Sequence, residues 1–186
     1  MVAAAGNGVE DTNYNGRSIG KYLGPDPNAD ITFPNLEYDF PASYPEVIAV
    51  SATGGNTGVD YFPSFSNYGP AVDVAAPGDM IYTTNMGGGY GSWYGTSLSA
   101  PHVVGTVALI LKADGYGAPV PVLPETIRGI LIGTAETLAI HYPDSQPVRL
   151  VDAEAAVLSL PGLAPRKQLL SSAGKLSVSW GKIKME

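Results

Sequence analysis

The sequence predicts an α/β domain built on a mainly parallel sheet flanked by helices, and three observations predict it. Short runs of small and β-branched residues, Val2–Ala5, Val47–Ala52 and Val72–Ala75, are each closed by glycine or proline, as buried strands are. Longer apolar or amphipathic stretches, Ala100–Ala113, Pro124–Ala135 and Leu150–Leu158, have the length and period of helices. The 186 residues are 45% hydrophobic with 23 glycines and 16 prolines, which suits one loop-rich core.

Charge and composition exclude several classes. A net charge of −7 with only ten Lys and Arg leaves no basic stripe for nucleic acid. Cysteine is absent, so there is neither a disulfide framework nor a thiolate metal site, and the compartment stays open. Met1–Asn7 lacks the basic start and long apolar run of a signal peptide, and the apolar run Val103–Leu111 is too short to span a bilayer. The expectation is a chain with no membrane segment.

In chain order, Val2–Asn7 opens as a buried strand of small residues with a glycine stop. On its own, Asn7 is a turn residue after that glycine. Residues 8–38 are polar, rich in Asn, Gly, Asp and Pro, and aperiodic, which predicts a long surface loop or insertion. Asp11, Asp26, Asp30 and Glu37 match no calcium-loop spacing and read as solvated acids. The strand Val47–Ala52 follows, then Gly69-Pro70 as a turn, Val72–Ala75 as a strand and Pro77-Gly78 as another turn. Met86–Gly95 is so rich in glycine that no regular element is expected there.

At Gly95-Thr96-Ser97-Leu98-Ser99-Ala100-Pro101-His102-Val103 this loop meets the Ala100–Ala113 helix, whose apolar content predicts burial nearly all round. Thr96, Ser97 and Ser99 can each cap free N–H groups, and Pro101 suits a first helical turn. By that reading alone Ser97 is a helix cap. His102, five positions on and beyond a proline, points along the helix and reads as structural. His141 falls in a proline-flanked polar loop between the two later helices. Pro161–Arg166 reads as a linker, and Lys175–Trp180 alternates like one strand of a further module.

The segment Gly95–Gly105 resembles, over eleven consecutive positions, the nucleophile segment of subtilisin-like serine peptidases, the subtilases. Three other segments resemble the same family in the same order: Ala4-Ala5-Gly6-Asn7, Pro41-Ala42-Ser43-Tyr44-Pro45-Glu46-Val47-Ile48-Ala49-Val50, and Phe65–Gly78. The resemblance implies a three-layer subtilisin-like fold, present as an incomplete fragment: residues 1–160 as the C-terminal part of the peptidase domain and 161–186 as linker and start of a truncated module. It implies Ser97 as nucleophile, Asn7 as oxyanion binder, and Ala4, Ala5, Gly6 and Thr96 at the substrate. Asp39 would lie at the floor of the specificity pocket and favour Lys or Arg, or else turn out to solvent. Some family members bind a cation through main-chain oxygens, which maps to Ala42, Tyr44 and Val47 with Asp73, and suits Ca²⁺ or Na⁺. No cofactor is otherwise required.

The family's triad runs Asp, His, Ser. No histidine precedes Ser97, and no Asp-Thr/Ser-Gly or His-Gly-Thr-His segment occurs. A serine hydroxyl needs a base to take its proton, so the resemblance implies a peptidase acting on polypeptides whose N-terminal half, with the Asp and His, is missing from this chain. The 186 residues alone are expected to be inactive. A noncatalytic binding or scaffold module, and one half of a split enzyme completed by another chain, are the alternatives. An α/β-hydrolase elbow is disfavoured because Gly95-Thr96-Ser97-Leu98-Ser99 lacks its second glycine. Secretion follows only by analogy with the family.

Overall fold

Five strands form the central sheet in the order β1-β4-β5-β9-β8 in a computed structural model that describes residues 1–10, 18–19, 40–55, 60–113, 123–143 and 145–160. The elements run β1 Val2–Ala4, β2 Val9–Glu10, β3 Ser18–Ile19, β4 Ile48–Thr53, β5 Val74–Pro77, β6 Ile81–Thr84, β7 Tyr90–Trp93, α1 Thr96–Ala113, α2 Pro124–Thr134, β8 Glu136–His141, β9 Pro147–Leu150 and α3 Ala153–Leu158. β1, β4, β5 and β9 are parallel, and β8 closes the far edge antiparallel to β9. The architecture is the mainly parallel sheet with packed helices that the sequence predicts.

Burial follows the pleat. Along β4, Ile48 and Val50 join Val74, Ala76, Val103, Ile110, Ile127, Leu131 and Ala156 in one core beneath the helices. Ala49, between them, turns to the other face with Ala3, Ala42 and Val47, as a two-residue period requires. Farther along that face Tyr142 packs edge-on to Phe62 at 5.0 Å and exchanges a 2.8 Å hydrogen bond with Ser51. Among the described residues all three helices contribute to a single core on one face of the sheet.

Several elements differ from expectation, each for a physical reason. Val9–Glu10 and Ser18–Ile19 pair as a short antiparallel ladder inside the expected loop; the remainder of that loop, residues 161–186, and with them the Lys175–Trp180 strand, lie outside the described residues. The glycine-rich stretch holds β7, because Gly87, Gly88 and Gly89 take φ values of 88°, 99° and 80° and fold it back on β6. Residues 136–141 form β8 and Leu150 ends β9, so His141 closes a strand and the last helix starts only at Ala153. There Asp152 accepts from the Ala155 N–H at 2.8 Å as N-cap.

The helix α1 corrects two expectations. It starts at Thr96, which puts Ser97 in its first turn and Pro101 in its interior. Proline has no N–H, so the Ser97 carbonyl receives no bond from position 101. Nor is α1 buried all round: Thr96, Ser99, Val103, Thr106 and Ile110 face the core, whereas Val104, Gly105, Ala108 and Leu109 are exposed, Val104 and Leu109 by 51% and 53%. By length and composition α1 is apolar enough to cross a membrane; it packs against β1, β4, β5 and α3 as a core helix.

Candidate active site

Residues from three separated segments meet at the start of α1. The Asn7 carboxamide oxygen accepts from the Thr96 N–H at 2.8 Å and from the Thr96 hydroxyl at 2.9 Å. The same hydroxyl accepts from the Gly6 N–H at 3.1 Å. With Oδ1 held by two donors, the Asn7 amide has one orientation, and its NH₂ is the end left to act. Asn7 therefore does what a turn asparagine need not do: it ties the end of β1 to the first turn of α1.

Gly95 shapes the space beside that amide. A Cβ on Gly95 would lie 3.1 Å from Asn7 Nδ2 and 3.3 Å from Ser97 Oγ, and its φ of +140° is one that side chains rarely adopt. The gap between the serine hydroxyl and the asparagine NH₂ thus exists because residue 95 has no side chain. Ser97 is exposed, while Gly95 and Thr96 on either side of this gap are buried. The site also sits at the N-terminus of α1, where unpaired N–H groups favour negative charge.

The loop that carries Ser97 is anchored from below. The Gly95 N–H donates to the Gly78 carbonyl at 2.7 Å, and the Gly78 N–H donates to Thr53 at 2.8 Å, so the loop hangs from the ends of β4 and β5. Ser99 lies against Gly78, and its buried hydroxyl has no hydrogen-bond partner among the described residues. On the β1 side, buried Asn67 donates its side-chain N–H to the Ala5 carbonyl at 2.8 Å and its backbone N–H to the Gly6 carbonyl at 3.0 Å. Ala5 is fully buried and its N–H reaches Val50. The polar groups of Ala5 and Gly6 thus have internal partners that aim Asn7. Among the described residues, Val2 and Ala4 turn their backbone groups, by strand alternation, to the edge of β1 away from β4.

His102 Nδ1 is 2.8 Å from the Leu98 carbonyl one turn earlier, which holds the ring along the helix. His141 ends β8, four strand positions from β1, or about 19 Å at ~4.8 Å per strand.

Two of the four residues expected to ligate a cation, Asp73 and Tyr44, have hydrogen-bond partners of their own. Asp73, whose side chain is 6% exposed, receives Arg128 Nε at 2.9 Å and Nη2 at 2.7 Å on one oxygen, and the Ala49 N–H at 3.0 Å on the other. Arg128 Nη1 also donates to the Pro45 carbonyl, and the Tyr44 carbonyl accepts from the Val47 N–H at 3.0 Å. Asp39 lies outside the described residues.

Sequence reasoning missed Arg128, Gly78 and the anchoring role of Asn67. Arg128 left a signal: it is the one cation in the otherwise apolar Ile127–Ile132 stretch of α2. Gly78 read only as a turn, since the Ser99 side chain it must admit lies 21 positions along the chain.

A model of the subtilase family matches residues 1–155. Thermitase of Thermoactinomyces vulgaris is 42% identical over 112 residues, which cover 60% of this chain and 35% of that protein. An extracellular protease of Xanthomonas campestris is 35% identical over 130 residues, 66% of this chain and 21% of the relative. Among solved structures, fervidolysin of Fervidobacterium pennivorans, a keratinolytic enzyme related to subtilisin, superposes with a TM-score of 0.59 at 27% identity, covering 86% of this chain and 22% of that one. The chain thus spans between about a fifth and a third of the length of these three relatives.

Proposed function

The chain belongs to the subtilase family, and from that premise we propose that it supplies the nucleophile and the oxyanion-binding groups of a serine endopeptidase. The observation that carries this reading is the Asn7 amide, held by Thr96 with its NH₂ beside the gap at Gly95 and Ser97 Oγ on the other side. In the proposed step Ser97 Oγ adds to the peptide carbonyl carbon, and the oxyanion forms between Asn7 Nδ2 and the Ser97 N–H. The amine then leaves to give an acyl-enzyme that water hydrolyses.

The hydroxyl proton needs a base; His102 bonds along its own helix and His141 ends β8 at the far edge of the sheet. We therefore assign the base and its orienting acid to polypeptide outside this chain. Two features support a complementing segment: among the described residues α1 leaves Val104, Ala108 and Leu109 exposed behind Ser97, and β1 is an edge strand of the sheet. A strand on that edge and an element over α1 would bury both faces.

The test is hydrolysis of a peptide substrate, with active-serine labelling by a fluorophosphonate. The expected result is no turnover by residues 1–186, and turnover dependent on Ser97 once the N-terminal half of a subtilase domain is added. Efficient hydrolysis by the chain alone, abolished by Ser97→Ala, would overturn the missing-base argument. A folded, assembled complex without turnover would favour a noncatalytic scaffold. The substrates are polypeptides, with Asp39 proposed to select Lys or Arg before the scissile bond. Asp39→Asn in the completed enzyme should reduce kcat/KM for such substrates and spare apolar ones. Secretion is proposed on the strength of the extracellular relative.

A further inference from the structure

The cation expected at Asp73 does not fit the site as it stands. A hard cation needs several oxygen ligands with free lone pairs facing it. Here one Asp73 oxygen already takes two N–H groups of Arg128 and the other takes the Ala49 N–H, and the Pro45 carbonyl in the same loop takes Arg128 Nη1. The Asp73 carboxylate is almost wholly buried while the guanidinium is about a third exposed, so the arginine reaches in from the surface and neutralises the acid.

We propose that Arg128 is the resident cation of this site, a guanidinium standing where a metal ion would otherwise join the 42–47 loop to Asp73. Its geometry performs the joining a metal would perform. Nε and Nη2 hold the turn before β5, and Nη1 holds the loop before β4, so one side chain of α2 fixes the entries of two adjacent parallel strands. Arginine suits this because its planar fork carries several donors and a charge that does not titrate. The chain's loop is consequently independent of Ca²⁺ and Na⁺. Removing the guanidinium leaves a buried carboxylate and a loop carbonyl without their shared donor, which is an oxygen site of the kind hard cations take. The inference does not depend on catalysis.

The experiment follows thermal unfolding of residues 1–186 in buffer whose only cations are choline and Tris, with CaCl₂ or NaCl titrated in at ionic strength held by choline chloride. The unaltered chain should keep its Tm within about 1 °C in either salt. Arg128→Ala should lower Tm by roughly 5–10 °C, and millimolar Ca²⁺ should return about half of that, Na⁺ less. Arg128→Gln, which keeps neutral donors and so a better chance of folding, should gain the same cation response in smaller measure. Adding Asp73→Asn to either variant should abolish the response, which separates this site from general binding by an acidic chain. The proposal is overturned if the unaltered chain is stabilised by a cation and Asp73→Asn removes that effect. It is equally overturned if both arginine variants fold, by circular dichroism, and respond to neither ion.

Discussion

Substituting Gly78 by alanine tests whether the loop that carries Ser97 is hung from the ends of β4 and β5. The added methyl would lie 2.2 Å from Ser99 Oγ, 2.7 Å from Ala52 Cβ and 3.0 Å from the Gly95 carbonyl oxygen. Two of those three neighbours are a strand Cβ and a backbone oxygen, which cannot swing aside. Overpacking of this kind costs about 1–3 kcal/mol, and with two rigid walls we expect the upper half of that range, roughly a 5–10 °C fall in Tm for a chain of this size. Ser99→Ala alone should change stability little or raise it by up to ~1 kcal/mol, because its buried hydroxyl has no partner to lose. In Gly78→Ala/Ser99→Ala the nearest clash is gone, so the double variant should recover about 1 kcal/mol relative to the sum of the singles. Urea unfolding followed by far-UV circular dichroism measures all three. If Gly78→Ala lies within ~0.5 kcal/mol of the unaltered chain, or if the two substitutions are additive, the loop is not seated as described.

Other consequences can be checked alongside. In the completed enzyme, Asn7→Leu should lower kcat about 10²–10³-fold with KM little changed, a magnitude carried over from subtilisin itself rather than worked from this geometry. Thr96→Val removes the hydroxyl that holds the Asn7 amide and accepts from Gly6, so kcat should fall with stability lowered by ~1–2 kcal/mol for the two lost hydrogen bonds; unchanged kcat would dissociate Thr96 from the oxyanion site. Leu109→Lys, on the exposed face of α1, should leave the isolated chain within ~0.5 kcal/mol yet abolish activation by the complementing half, as a pull-down and the hydrolysis assay would report. Tyr61 donates to Asp79 at 2.5 Å, and that hydrogen bond, with burial and the carboxylate's charge, raises its pKa to about 12. A folded pKa above the unfolded value of 10.0 means the contribution to stability is complete below pH 10 and lost as pH rises through about 12. Tyrosinate absorbance should show this late titration in the unaltered chain, lower it in Asp79→Asn and lack it in Tyr61→Phe.

Local pattern alone determined a good deal. The small-residue strands at β1 and β4 and the helix α2 were legible because burial on both faces of a parallel sheet, or on one face of a helix, leaves a period in the residues themselves. Local pattern alone left Ser97 a helix cap; the resemblance over eleven residues is what singled it out, and the lack of a preceding histidine is a property of the sequence that no fold can alter. What the tertiary structure alone decided are relations between positions far apart in the chain. That the Asn7 oxygen is held by Thr96, 89 positions away, makes a turn asparagine into a fixed donor. That Arg128 spans 55 positions to pair with Asp73 is a relation no local pattern displays. That β7 exists at all depends on β6 lying opposite, since a glycine-rich strand carries no pattern of its own. The outer face of α1 is the clearest case: its composition predicts full burial, and only the packing shows Val104 and Leu109 exposed by 51% and 53% within the described residues. Hydrophobic patterning says how much surface must be covered, whereas coverage itself depends on which polypeptide is present to do it.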